Sequence, residues 1–220
     1  MAIVIGNKTA SNVNPGSSTQ TLSHNMSTGA DGTLLVAITM NRNRSFTNCK
    51  YGGQTMTLVK AHDFGSGFPQ RQAIFLLQSP PTGVNNIVAT YNNSVFNGTS
   101  IFAVSLTGAA GALSNGVNAL SSTPHSRSFT IAADSIIYAT GISNVNAVAY
   151  SIGGTTRTLE FNHNTNKKVG GGLSSTNLAA GAQNVTTKCS TGSTVTNLRI
   201  EIGAASSTPT TNTGNFLLCM

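Results

Sequence analysis

Residues able to do acid–base or nucleophilic chemistry are scarce in this chain. Its 220 residues include five Asp and Glu and four His. Asp63 directly follows His62 and could orient it as a general base. Glu160 lies near His163 and could do the same. Both pairs stand at corresponding places after a repeated Gly-Gly phrase, which favours ordinary loop residues over a site. We predict no catalytic residues and a protein that is not an enzyme.

The residues that could bind a metal are scattered. The histidines are His24, His62, His125 and His163, and the cysteines are Cys49, Cys189 and Cys219. Neither set has the close spacing of zinc ligands or of a redox pair. Calcium needs several oxygen ligands and usually more than one carboxylate, which so few acids hardly supply. We predict no metal site and no cofactor.

Aromatic and basic residues in expected loops are the candidates for a ligand site. A sugar site presents aromatic faces beside amide and hydroxyl groups, with Trp as the preferred platform, and the chain has no Trp. The possible aromatic platforms are Tyr51, Tyr91, Phe64, Phe68 and Phe96. Among these, Tyr51 and Phe68 are the candidate ligand-loop residues, with Arg42 and Arg44 as the candidate cations. Glycan binding therefore stays open, with core or loop-anchor aromatics as the alternative.

The net charge of +7 reflects scarce acid, because only five Asp and Glu oppose twelve Lys and Arg. A nucleic-acid interface needs basic residues concentrated on one face, with aromatic groups for stacking on single strands. The basic residues are spread along the chain instead. We predict no nucleic-acid partner.

Each terminus carries a short apolar tip at the end of a polar segment. The tips are Ile3, Val4 and Ile5 at one end and Phe216, Leu217 and Leu218 at the other. An exposed apolar strand invites association, so each tip should dock on its own core or on a neighbouring subunit by strand addition. We assign both tips as partner-binding residues of a homo-oligomer. The N-terminal run is too short for a secretory leader or a membrane span, which predicts synthesis in a cytoplasm and no membrane partner.

Composition predicts that strands position these residues. Charged residues make up 8% of the chain, against about 25% in an ordinary domain, and Ser, Thr, Asn and Gly replace them. These residues favour strands and turns over helices. Short segments with strand patterns are separated by turn signals, and we predict strands at 20–26, 33–40, 47–51, 55–61, 72–78, 86–91, 100–107, 128–131, 135–141, 147–152, 156–161, 169–174, 184–189 and 198–204. The fold class is all-β, an antiparallel β-sandwich of jelly-roll type with little or no helix.

One phrase occurs twice, which indicates an internal duplication. Tyr51-Gly52-Gly53-Gln54-Thr55-Met56-Thr57-Leu58 returns as Ile152-Gly153-Gly154-Thr155-Thr156-Arg157-Thr158-Leu159, and the flanking segments keep the same order. Gly52 and Gly53 predict a two-residue hairpin turn. The expected organisation is an N-terminal arm (1–19), a first half (20–107), a connection (108–124), a second half (125–205) and a C-terminal arm (206–220). The pattern Leu198 to Ile202 predicts a strand whose charged side faces out.

Several phrases together resemble a known family. They are DGTLLVA (31–37), KYGGQTMTL (50–58), IFLLQSPPTG (74–83) and AVSLTG (103–108), and their order resembles a β-sandwich family common among phage and bacterial surface proteins. The resemblance covers about residues 20–205 and carries no catalytic residues. It implies a virion structural protein of a tailed bacteriophage, foremost a capsid decoration or cement protein at the virion surface, bound to the major capsid protein or other virion proteins. The alternative is a host-surface carbohydrate-binding module of a phage tail or fibre or of a bacterial surface protein.

Overall fold

A computed structural model describes residues 2–13, 16–27, 32–41, 44–63, 70–94, 99–120, 125–143, 148–152, 155–157, 161–164, 168–174, 178–189 and 195–205. Every element of regular secondary structure within these ranges is a β-strand, which confirms the predicted all-β class. The strands are β1 (Val4–Val13), β2 (Thr19–Met26), β3 (Gly32–Asn41), β4 (Phe46–Tyr51), β5 (Gln54–Thr55), β6 (Thr57–Asp63), β7 (Gln70–Gln78), β8 (Gly83–Tyr91), β9 (Thr99–Thr107), β10 (Ala109–Leu120), β11 (His125–Ile131), β12 (Ile136–Ser143), β13 (Val148–Ile152), β14 (Thr155–Arg157), β15 (Phe161–Asn164), β16 (Lys168–Leu173), β17 (Gly181–Cys189) and β18 (Val195–Ala204).

The strands form antiparallel sheets that repeat one topology. Sheet A has the order β1-β9-β3-β7-β6 and sheet B has β2-β8-β4-β5, whereas sheet C has β10-β18-β12-β16-β15 and sheet D has β11-β17-β13-β14. Every label in sheets C and D is nine higher than its counterpart in sheets A and B. The predicted duplication is therefore confirmed at the level of strand order.

The sheets stack in the order B, A, C, D around three apolar clusters. On β3, Val36 and Ile38 pack in the cluster shared with sheet B, while Leu35 and Ala37 pack in the cluster shared with sheet C. A third cluster, which includes Ile137, joins sheets C and D. Because successive strand residues point to opposite faces, burial on both faces explains why β3 is apolar at most positions. This confirms the expectation of a central strand.

The cluster between sheets A and C joins the two halves of the duplication. Phe102 on β9 stacks on Tyr138 on β12, with ring centroids 5.6 Å apart and an interplanar angle of 6°. At the same interface, Gln72 Nε2 donates to Thr140 Oγ1 over 3.1 Å. The halves thus share a packed hydrophobic core, with a polar contact inside it.

The repeated Gly-Gly phrase forms a hairpin, as predicted. Tyr51 pairs with Gln54 across the two-residue turn, and Gly52 and Gly53 have φ of 54° and 84°, a region that glycine enters without steric cost. In the second copy Ile152 pairs with Thr155 in the same way, although Gly153 and Gly154 lie outside the described residues. The phrase is a structural element of each half.

Two strands lie where none was predicted. β1 forms within the expected N-terminal arm and pairs with β9, and β10 forms within the expected connection and pairs with β18. Both are the outer strands of their sheets and contain many Ala, Gly, Ser and Asn residues. Their pairing depends on the neighbouring strand rather than on an apolar alternation of their own, so pattern alone missed them.

The charged side of β18 points inward, which corrects the expectation of an exposed face. Arg199 and Glu201 are buried. They pair with Ala139 and Ile137, and directly paired residues share one face of a sheet. Ile137 and Ala139 belong to the cluster between sheets C and D. Alternation on β18 therefore separates two buried faces, one apolar and one partly polar.

Candidate functional site

A buried cluster of polar side chains lies between sheets A and B, at the edge where β1 and β2 are the outer strands. His24 on β2 lies with Nδ1 2.9 Å from Thr9 Oγ1 on β1 and with Nε2 2.9 Å from Ser105 Oγ on β9. A neutral imidazole has one donor and one acceptor, and a hydroxyl can serve as either. Both ring nitrogens can therefore be satisfied in either tautomer. Burial lowers the pKa of His24 to about 4, so the ring is neutral at pH 7.

His24 and Ser105 resemble a base and a nucleophile in hydrogen-bond distance, but they are sealed. Each side chain is 1% exposed, so a substrate in solution has no path to Ser105 Oγ. The ring of His24 also packs edge-on against Tyr51, with centroids 6.3 Å apart. In this geometry the cluster ties three strands together.

Tyr51 lies in the core and offers no platform at the surface. Its side chain is fully buried, and its hydroxyl is 3.1 Å from the carbonyl oxygen of His24 and 2.9 Å from that of Gly83. The expectation of a ligand-loop aromatic is corrected for this residue, because the ring fills the sandwich beneath the hairpin. Phe68, the other candidate platform, lies outside the described residues.

The carboxylate of Asp63, which could have oriented His62, forms an ion pair with Arg71 at the surface. Arg71 pairs across β6 and β7 with Asp63, and Arg71 Nη2 donates to Asp63 Oδ2 over 2.8 Å. This hydrogen bond is the main reason why the pKa of Arg71 is raised. His62 has a lowered pKa, chiefly through desolvation. His62 and Asp63 are therefore strand residues, and the Asp63 carboxylate belongs to an ion pair.

Arg44 is held in the same region by its backbone and side chain. Its Nε donates to the carbonyl oxygen of Ser94 over 2.7 Å, and its own carbonyl oxygen accepts from Arg71. The guanidinium thus supports the loops around the start of β4. Arg42, the second candidate cation, lies outside the described residues, as does Glu160.

The N-terminal tip is divided between the core and the surface. Ile3 is buried in the cluster between sheets A and C, and Ile5 packs against it. Val4 lies between them and is 59% exposed. The tip therefore docks on its own chain and leaves one apolar side chain exposed. Phe216, Leu217 and Leu218 lie outside the described residues.

A groove opens where sheets A and C meet at the end of β7. We call it the edge groove, and its volume is about 480 Å³, within the range of about 300–1,000 Å³ usual for ligand pockets. Its lining residues are Thr57, Val59, Leu76, Leu77, Gln78 and Gly111. They come from β6, β7 and β10, and the exposed Leu58 lies beside them on β6. The groove is apolar with a hydroxyl and an amide in its lining.

Gly111 leaves room at one side of the groove. It pairs with Gly203 on β18. Gly111 has φ of +119°, and an added Cβ would lie 3.0 Å from Gln78 Nε2. Sequence analysis missed this site because its residues are distant in the chain.

A buried carboxylate stabilises the second half. Glu201 Oε1 accepts from the backbone nitrogen of Ala132 over 2.7 Å and from Ser135 Oγ over 2.9 Å. Both donors lie in the turn before β12, where Asp134 has φ of 58°. Glu201 therefore anchors the turn that contains Asp134.

In the part of the chain that the structure describes, no group of three or more His, Cys, Asp and Glu side chains is arranged to hold a metal ion. Across the same residues, no helix has the length and hydropathy needed to cross a membrane. Cys49 is a free, buried thiol, and burial raises its pKa to about 12.

Comparison with known proteins gives no relative on which to base a function. No protein-family model matches the chain, and no curated protein sequence matches it. The structure shows an all-β protein with several antiparallel sheets.

Proposed function

We propose that this chain is a non-enzymatic structural protein of a tailed bacteriophage virion, of the capsid decoration or cement type. Its sequence phrases resemble those of virion β-sandwich proteins, and its surface is poor in charge. Its work is adhesion to the major capsid protein or to other virion proteins, including further copies of itself. A stack whose two central sheets are buried on both faces suits this role, because it presents a fixed surface to partners.

The exposed valine on an outer strand carries the proposal. Val4 is 59% exposed and lies on β1, the outer strand of sheet A. A partner strand added beside β1 would bury this side chain and gain main-chain hydrogen bonds. Covering the exposed part of this valine contributes about 1–2 kcal/mol, and many copies on one particle multiply this contribution. Leu58 is a further exposed apolar residue that could meet partners.

Particle sedimentation tests the proposal. Virions of the phage that encodes the chain are purified and analysed for the protein by mass spectrometry, and depleted particles are reloaded with purified protein. We expect a fixed ratio to the major capsid protein, and lower occupancy for Val4→Asp than for the matched surface variant Val84→Asp. Absence of the protein from purified virions would overturn the proposal. Equal occupancy of the two variants would show that β1 is not the contact.

Glycan binding is the second function that the sequence left open. One of the aromatic residues proposed as a sugar platform is inaccessible to a ligand, because Tyr51 is buried beneath the Gly-Gly hairpin. Phe68 remains as the candidate to test. A glycan array probed with the wild-type protein and with Phe68→Ala decides this alternative, since saturable binding that the variant loses is required.

A further inference from the structure

The described chain ends next to the edge groove. The backbone nitrogen of Ala205 donates to the carbonyl oxygen of Gly108 over 2.7 Å, and Ala204 pairs with Ala109. Gly111, which lines the groove, lies three residues beyond Gly108, or about 10 Å along a strand. Residues 206–220 therefore begin beside one end of the groove.

The C-terminal segment is long enough to return to the groove. Phe216 lies eleven residues beyond Ala205, and such a length can span at most about 36–40 Å. The groove lies well inside that reach. A segment tethered to the same chain also has an effective concentration in the millimolar range for short linkers, which favours it over a free partner.

The chemistry of the tip matches the groove. Ser, Thr, Pro, Asn and Gly fill the segment up to its only apolar cluster, which is Phe216, Leu217 and Leu218. Val59 and Leu76, which face the cluster between sheets A and C, provide apolar lining in a volume of about 480 Å³, and a cavity of about 150 Å³ already accepts a benzene ring. The Thr57 hydroxyl and the Gln78 amide can serve backbone groups of the incoming chain.

We propose that the chain's own C-terminal tip, Phe216 to Leu218, docks in the edge groove of the free protein. Docking removes the apolar surface of the tip from solvent. This docking is a property of the isolated chain and does not depend on the virion role proposed above.

A single-tryptophan reporter tests the docking. The chain has no Trp, so Phe216→Trp places the only indole at the tip. We expect blue-shifted emission and severalfold weaker quenching by acrylamide than for the same protein in denaturant. Adding Val59→Glu, which puts a charge in the groove, should restore strong quenching, whereas the matched Val84→Glu on the exposed face of β8 should leave the docked signal unchanged. Equal quenching in the two double variants would overturn the proposal.

A cross-link identifies the occupant and remains informative if the charged groove variant unfolds. Thr57→Cys lines the groove, and the native Cys219 follows the tip. A disulfide forms only when the two Cα atoms approach to within about 7 Å. In a Cys189→Ser background, mild oxidation should give an internally cross-linked monomer, and Val84→Cys should not. Covalent dimers would instead assign the groove to the tip of a second copy and overturn own-chain docking, as would the absence of any cross-link.

Discussion

Acidification below pH 6.5 should destabilise the protein through His24. Burial lowers the pKa of this residue from 6.5 to about 4, because the closed edge between sheets A and B disfavours the charged imidazolium. Between these two values the unfolded chain binds a proton at His24 and the folded chain does not. The contribution to stability is therefore fully present above about pH 6.5 and is lost as the pH falls toward 4.

The size of the effect follows from the two pKa values. A group with these values lowers the free energy of unfolding by about 2 kcal/mol at pH 5, and by about 3 kcal/mol at pH 4, relative to pH 8. The measurement at pH 5 is the cleaner one, because ordinary carboxylates are still mostly ionised there.

Urea unfolding followed by circular dichroism provides the assay. Wild type is compared with His24→Gln, whose amide keeps a donor and an acceptor but does not titrate. The stability advantage of wild type over the variant should shrink by about 2 kcal/mol between pH 8 and pH 5. His62 is present in both proteins, so its own lowered pKa cancels in the difference. A difference that stays constant with pH would refute the reasoning.

Three substitutions test the packing of the fold, each by urea unfolding. Gly52→Ala should lower the free energy of unfolding by about 1–3 kcal/mol, because its Cβ would lie 2.7 Å from the ring of Pro81. Gly53→Ala is the control, since an added Cβ there meets nothing within 4 Å. An equal loss of stability in the two variants would contradict the clash at Gly52. Phe102→Ala should lower the free energy of unfolding by about 3–5 kcal/mol, and both halves should unfold in one transition, since this ring belongs to the core that they share. A loss of stability below about 1 kcal/mol would be inconsistent with that core. Glu201→Ala should lower the free energy of unfolding by about 1–3 kcal/mol, because the buried Ser135 hydroxyl loses its acceptor. Glu201→Gln, whose oxygen still accepts, should cost less, and equal losses would rule out this explanation.

The strands that sequence predicted are those with a strong pattern of their own. β3 and β9 are apolar at most positions because they are central in sheet A and buried on both faces. β1 and β10 were missed because small and polar residues suffice for an outer strand. Their structure depends on β9 and β18, which lie far from β1 and β10 respectively in the chain.

The side chains that could bind something were harder to predict than the strands. Tyr51 stands beside a turn in sequence, and only its pairing register shows that the ring enters the sandwich and meets His24. Arg199 and Glu201 alternate with apolar residues as surface charges do, yet a second sheet covers them. Sequence periodicity separates the two faces of a strand but does not say what covers each face.

Sequence alone determined the all-β class, the Gly-Gly hairpin and the duplication, because these depend on local backbone preference and on repeated order. Tertiary structure decided the rest. It stacked sheet A on sheet C through Phe102 and Tyr138, sealed His24 and Ser105, and opened a groove at Gly111. Each of these features brings together residues from distant strands, and their positions follow from how whole sheets pack rather than from any neighbouring residue.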